Sequence, residues 1–265
     1  MKRTVFLFIL LFPFAIASAQ RDTINSPKIT TTANMIGIGH TNVLDDYLSN
    51  EKYKGVELRF ISMTDKYTPG KKISFQRTFQ VDASMPRNNS ETGNNLVGML
   101  NYSLGWYYNW FLLGNALRVQ AGGLADMNLG GILNTRNGNN AGQLRTYLNI
   151  APSASAAYDF KLWNRNFTVR YALDIPLFGV MFSPNYGQSY YEIFVRDDYD
   201  NNVVFTSIAT PSLRHQLTID LPIWKQTTFS VGYLGDIRQA TPNSLKQHIY
   251  TNAVVIGVKQ VIGAK

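Results

Sequence analysis

The side chains able to do chemistry are few. The chain has three histidines and no cysteine. His215 lies three positions after Ser212, and a serine nucleophile needs its base within hydrogen-bond reach. In a strand an odd spacing puts the two side chains on opposite faces, so this pair cannot act together. His215 falls in an apolar register beside Leu217 and is expected to face outward near the outer rim. His40 and His248 sit near loops and could approach each other across the first and last strands. Rim positions without catalytic work are the expectation for both.

Asp198, Asp200 and Asn202 match the first three side-chain positions of a calcium loop. The sixth position should be glycine and is Val203, and the twelfth should be glutamate and is Ala209. The triplet reads as a solvated turn, and no metal site is expected. Gly122, Gly123, Gly130 and Gly131 lack the lysine of a phosphate loop and lie in a strand. Close backbone approach or wall curvature accounts for them better. No catalytic residues and no cofactor follow from these patterns.

The more informative charges are spread through the chain on one register: Glu57, Arg59, Arg118, Asp126, Arg145, Arg170, Asp174, Arg214, Asp220, Asp236 and Arg238. The signs nearly balance. If these side chains point into a narrow space they must pair, because an unpaired buried charge is very costly. Such a set is either a selective path or a salt-bridged plug. A barrel of about ten strands is little wider than the eight-strand kind that side chains fill, which favours the plug.

The elements that position these charges are β-strands. From Leu96 to Trp110 every second residue is apolar, and the register between them turns small and polar. After a break at 111–115, Leu117, Val119 and Ala121 alternate with Arg118, Gln120 and Gly122. Period-two alternation means strands with opposed faces. A strand of about ten residues, apolar on one face and ending in aromatic rings, is the unit of a transmembrane β-barrel.

The unit recurs. Strands are expected over 29–40, from Gly55, from Ile73 to Val81, over the central hairpin, from Leu144, over 167–175, over 213–223, from Phe229 and over 248–262. Arg77 falls on an apolar face, where mid-bilayer placement would cost about 2–4 kcal/mol. That makes ten strands, with twelve if 190–195 and 203–208 join the wall rather than form an outer flap. Short turns near residues 69, 113, 163 and 226 alternate with longer loops at 41–54, 83–95, 134–142, 183–210 and 241–246. This asymmetry is that of outer-membrane barrels, with short turns in the periplasm and long loops outside. Trp106, Tyr108, Trp110, Trp163 and Trp224 lie at or beside the short turns, as a periplasmic aromatic girdle would. Tyr186, Tyr190, Tyr191, Phe194 and Tyr199 crowd the longest loop, a candidate outer contact surface.

A soluble lipocalin-like barrel or β-sandwich shows the same periodicity with the apolar face turned inward. The tryptophans at the turns and the charges at mid-strand favour the membrane. Mean hydropathy is −0.13, as expected when half of each strand is polar. Met1-Lys2-Arg3, an apolar run over 4–16 and Ala17-Ser18-Ala19 together form a signal peptide, residues 1–19. Residues 20–265 are then one barrel domain. The formal charge of +8 is scattered rather than clustered, so no nucleic-acid partner is expected.

Several stretches resemble an uncharacterised family of secreted, barrel-like outer-membrane proteins from Bacteroidetes. They are 37–39 with 44–49, 55–60, 134–140, 181–192 and 231–236. The resemblance implies a Gram-negative envelope protein and carries over no activity. The expectation is an all-β, antiparallel, up-and-down transmembrane barrel. It would be non-catalytic and monomeric, embedded in outer-membrane lipid, and would meet an outer-surface ligand or protein through its loops. A narrow small-solute channel is the alternative, and an envelope hydrolase a weaker one.

Overall fold

Among the described residues thirteen antiparallel strand pairings build one sheet that closes on itself. The computed structural model describes residues 28–138, 140–206, 212–224 and 226–262. The expected signal peptide, residue Lys225 of one turn, and residues 207–211 of the longest excursion lie outside the described residues.

In chain order the strands are β1 (Ile29–Asp45), β2 (Ser49–Tyr67), β3 (Ile73–Ser84), β4 (Arg87–Asn88), β5 (Asn95–Leu112), β6 (Leu117–Asn134) and β7 (Gly142–Leu162). They continue with β8 (Arg165–Asp174), β9 (Phe178–Phe182), β10 (Val203–Thr206), β11 (Leu213–Trp224), β12 (Thr227–Ala240) and β13 (Gln247–Ile262). Among the described residues a short α-helix, α1 (Tyr190–Phe194), and a 3-10 turn at Pro242–Ser244 interrupt the series. β1 pairs with β13, and β8 pairs with both β7 and β11. Ten strands therefore close the wall. β4 is an attachment to β2, and β9 with β10 extends the upper half of β7.

Side-chain direction decides between membrane and soluble barrel. Outward positions carry Ile38, Val56, Leu58, Ile150 and Ile256, each half or more exposed. Inward positions carry Glu57, Arg59, Asp82, Asp126, Asp236 and Arg238, each under a tenth exposed. In water each outward aliphatic side chain would forgo about 1.5–3 kcal/mol of burial. Lipid removes that penalty. The fold is thus a closed, antiparallel outer-membrane type β-barrel, apolar outside and polar inside.

The strands are not of equal reach. About 9–11 tilted residues cross a bilayer, yet β1, β2, β5, β6 and β7 run for 17, 19, 18, 18 and 21 residues. Residues 41–54, expected as a loop, are instead the upper ends of β1 and β2, joined by a three-residue turn at 46–48. Above the membrane the outward face of the hairpin meets water, while Val43, Leu48 and Tyr53 turn inward onto an apolar cluster. The apolar alternation fades there while the backbone pairing persists.

The short turns are tight. β7 and β8 are joined by Trp163–Asn164 alone, with φ of 49° and 58°. Two positive-φ residues match the right-handed twist of the flanking strands. Two lumen-facing glycines of β6 have a steric role. A Cβ on Gly122 would strike the carbonyl oxygen of Trp106, and one on Gly130 would strike that of Gly98. Close approach of β5 to β6 requires both.

Candidate functional site

The lumen and the outer mouth hold the buried polar chemistry. At the waist, Arg59 of β2 donates to Glu57 Oε1 at 2.9 Å and to Asp236 Oδ2 at 2.6 Å, with Asp82 at 3.5 Å. Arg238 Nη2 reaches both carboxylate oxygens of Asp82 at 3.1 Å, and its Nε lies 3.3 Å from Asp236 Oδ2. Arg214 lies 3.6 Å from Asp126 and 3.8 Å from Asp236. Strands β2, β3, β6, β11 and β12 each contribute, so the network spans the lumen.

The remaining expected charges also face inward. Arg145 pairs with Asp45 at 3.1 Å and Arg118 with Asp65 at 2.8 Å. Lys259 pairs with Asp220 at 2.9 Å, and Asp174 accepts from Ser153 Oγ at 2.6 Å. Arg170 and Asp174 line the lower of two lumen cavities. The register therefore brings together all eleven residues read from the sequence. It also adds Asp45, Asp65, Asp82 and Lys259, which the sequence reading missed.

Apolar groups fill the space above and below the waist. Val43, Leu48, Tyr53, Val97, Met99, Ile132 and Ile249 pack together toward the outer mouth. Ala33, Met35, Ile61, Leu234 and Val255 pack on one side of the lower lumen. Among the described residues the lumen holds cavities of about 50 Å³ and about 60 Å³, and Arg214 lines both. Each has room for a few water molecules.

Over the mouth lies the excursion between β8 and β11. Residues 190–195, weighed above as a strand, instead hold α1 with Val195 as its C-cap. Ser189 caps it: Glu192 N donates to Ser189 Oγ at 3.2 Å, and Ser189 N donates back to Glu192 Oε2 at 2.7 Å. This reciprocal Ser-x-x-Glu pair is a capping box, a signal visible in the sequence. The Ser189 amide and hydroxyl hold the Glu192 carboxyl below its usual range. Ile193 is fully buried and anchors the helix.

Of the five candidate contact residues, Tyr190 turns inward. Its hydroxyl donates to Gln143 Oε1 at 2.8 Å and accepts from Leu144 N at 2.7 Å. It thereby caps β7 above the point where β9 pairs with it. Its ring meets Tyr47 edge-on at 6.1 Å, and Tyr47 donates to Gln188 O at 2.9 Å. Burial, aided by the Asp45 and Glu192 carboxylates, pushes the Tyr47 hydroxyl up to about 12. Phe194 stacks on Tyr190 yet stays half exposed, as do Tyr191 and Tyr199, and Tyr186 is 85% exposed. Asn202 donates into the cap, to Ser183 O at 3.1 Å and Gln188 Oε1 at 2.7 Å. It is thus turned away from Asp198 and Asp200.

The histidines stand apart. His215 faces outward between Tyr171 and Tyr233, at ring distances of 6.1 and 5.6 Å. His248 is opposite Leu44 while His40 is opposite Asn252. The two are offset by four positions, so the approach weighed above across the first and last strands does not occur. The girdle rings do gather at the turn end: Trp106 tilts against Phe75, Tyr108 against Trp110, and Trp163 and Trp224 are 84% and 72% exposed. Arg77 lies in unbroken register opposite Thr64 and Leu104 and points outward.

A known structure shares the architecture. Outer membrane protease OmpT from Escherichia coli aligns over 92% of this chain and 99% of its own, with a TM-score of 0.54 and 7% identity. The transport unit of the autotransporter AIDA-I from Escherichia coli aligns over 96% of each chain, with a TM-score of 0.46 and 10% identity. The translocator domain of autotransporter NalP from Neisseria meningitidis aligns over 90% of each, with a TM-score of 0.40 and 12% identity. At 7% identity the likeness to OmpT is one of fold. No curated protein matches the chain. A family model described as "Protein of unknown function (DUF3316)" matches residues 5–263, and the chain belongs to that family.

Proposed function

We propose that this protein is a non-conducting, non-catalytic outer-membrane barrel whose work is done at its outer cap, where exposed aromatic rings meet an outer-surface ligand or protein. The observation that carries this reading is the waist network of Arg59, Asp82, Arg214, Asp236 and Arg238, which leaves cavities of only about 50 and 60 Å³. A lumen so filled suits a rigid pedestal better than a solute path. The cap above it is held by a capping box, by Ile193 and by the two Tyr190 hydrogen bonds. Yet it leaves Tyr186, Tyr191, Phe194 and Tyr199 outside. Rigid aromatic side chains give large contact area at low entropy cost.

In this reading residues 1–19 are a signal peptide, and the mature barrel is a monomer in a Gram-negative envelope of the Bacteroidetes kind. Planar-bilayer recording tests the closed lumen. The refolded barrel is expected to insert without discrete current steps. Regular unitary steps from the unsubstituted protein would overturn the reading in favour of a channel.

A further inference from the structure

At the opposite end from the cap, a cleft of about 530 Å³ opens on the outer wall beside the β2–β3 turn. Lys66 and Lys72 line it with Phe75, Trp106 and Tyr108, and no carboxylate is among its described lining residues. The nearest acid along β2, Asp65, points into the lumen and is engaged by Arg118. Lys72 Nζ lies 5.6 Å from the centre of the Tyr108 ring, and Phe75 and Trp106 tilt together at 5.4 Å. On β3 the next outward residue above Phe75 is Arg77, about 7 Å further along the strand at about 3.4 Å per residue. That distance is within reach of a snorkelling guanidinium.

The girdle places this cleft at the depth of the inner-leaflet headgroups. Aromatic rings there favour the boundary between lipid and water, and clustered basic side chains recognise anionic headgroups. We propose that the cleft binds the headgroup phosphate of an anionic phospholipid. Lys66 and Lys72 would hold the phosphate, Trp106 would lie along the glycerol and upper acyl chain, and Arg77 would meet the same charge from the membrane side. The arrangement also accounts for the outward arginine, which no acidic neighbour on β2 or β5 faces in register. The inference is independent of the cap but rests on this end lying at a bilayer surface.

The test is quenching of Trp106 in protein carrying W110F, W163F and W224F, refolded into phosphatidylcholine vesicles. Brominated phosphatidylglycerol is expected to quench with about tenfold higher apparent affinity than brominated phosphatidylcholine. K66Q/K72Q should bring the ratio close to one while keeping the folded gel mobility. K52Q/K54Q, which removes equal charge at the outer end, should leave it unchanged. Millimolar inorganic phosphate should not compete. Equal quenching by both lipids, an equal loss in K52Q/K54Q, or displacement by phosphate would each overturn the assignment. Failure of the membrane placement itself would look different, since neither brominated lipid would then quench.

Discussion

The guanidinium of Arg59 on β2 meets the carboxylate of Asp236 on β12 at 2.6 Å, though 177 positions separate them in the chain. Two strands, β1 and β13, lie between them in the wall, so the contact crosses the lumen rather than following the sheet. Both residues are about 2% exposed. Removing one partner of such a pair leaves a buried charge, at about 3–5 kcal/mol, while removing both is far milder. D236N should therefore lower the urea midpoint of the barrel more than R59M/D236L does. Unfolding is followed by the shift between folded and heat-denatured gel mobility. Equal loss in both variants would mean that the pair is not coupled.

The same network predicts a gain of conductance. R59A/D82A/D236A/R238A removes the side chains that join β2, β3 and β12 at the waist. The two cavities, already sharing Arg214, should then merge. Discrete current steps are expected from this variant in planar bilayers, and from the unsubstituted protein none. A folded variant that stays silent would show that the apolar cluster around Val43, Val97 and Ile249 closes the mouth by itself.

Gly130 tests the close approach of β5 and β6. A Cβ there would lie far inside contact distance of the Gly98 carbonyl oxygen, which is backbone and cannot swing aside. G130V should reduce the yield of the folded, heat-modifiable form severalfold. G98A, where a Cβ would meet nothing within 4 Å, should fold normally.

Most of the wall was legible because a bilayer demands an apolar side chain at every second position, as from Leu96 to Trp110. Where the lumen itself turns apolar, that contrast fails. Asp65 shares its register with Ile61 and Met63, and Lys259 shares its register with Ala253 and Val255, so neither stood out as an inward charge. Asp82 continues the polar register of Gln76, Thr78 and Gln80 and could have been read by following it one step further. α1 was hidden by its aromatic composition, which suits a strand, although Ser189 and Glu192 stood at capping-box spacing. The partnerships within the lumen depend on strand tilt and shear, which no local pattern encodes.

The cap should respond to acid through Glu192. Its folded pKa lies below the ordinary carboxylate value, mainly because the Ser189 amide and hydroxyl donate to the ionised form. A depressed carboxyl pKa contributes stability above the unfolded pKa and loses it as pH falls through the folded one. Hydrogen exchange in residues 189–195 should therefore rise as pH falls through that window, after correction for the intrinsic rate. E192Q should show a pH-independent profile in the same segment. A native profile that is flat as well would remove the capping box from the cap's stability.

Topology links the cap and the cleft, because each is placed by the same alternation of turns and loops. The chain has no cysteine, so single cysteines can be introduced on a clean background. Asp200 lies in the excursion between α1 and β10, is exposed, and avoids the positive φ of 60° at its neighbour Asn201. Gln226 lies exposed in the turn between β11 and β12, at the end that carries Trp224. On intact cells D200C is expected to react with a membrane-impermeant maleimide and Q226C to remain unlabelled. Opening the outer membrane should make Q226C react as fully as D200C. The reverse order would put the aromatic cap in the periplasm and the lysine cleft outside. It would then remove both the proposed outer contact surface and the proposed inner-leaflet lipid site in a single measurement.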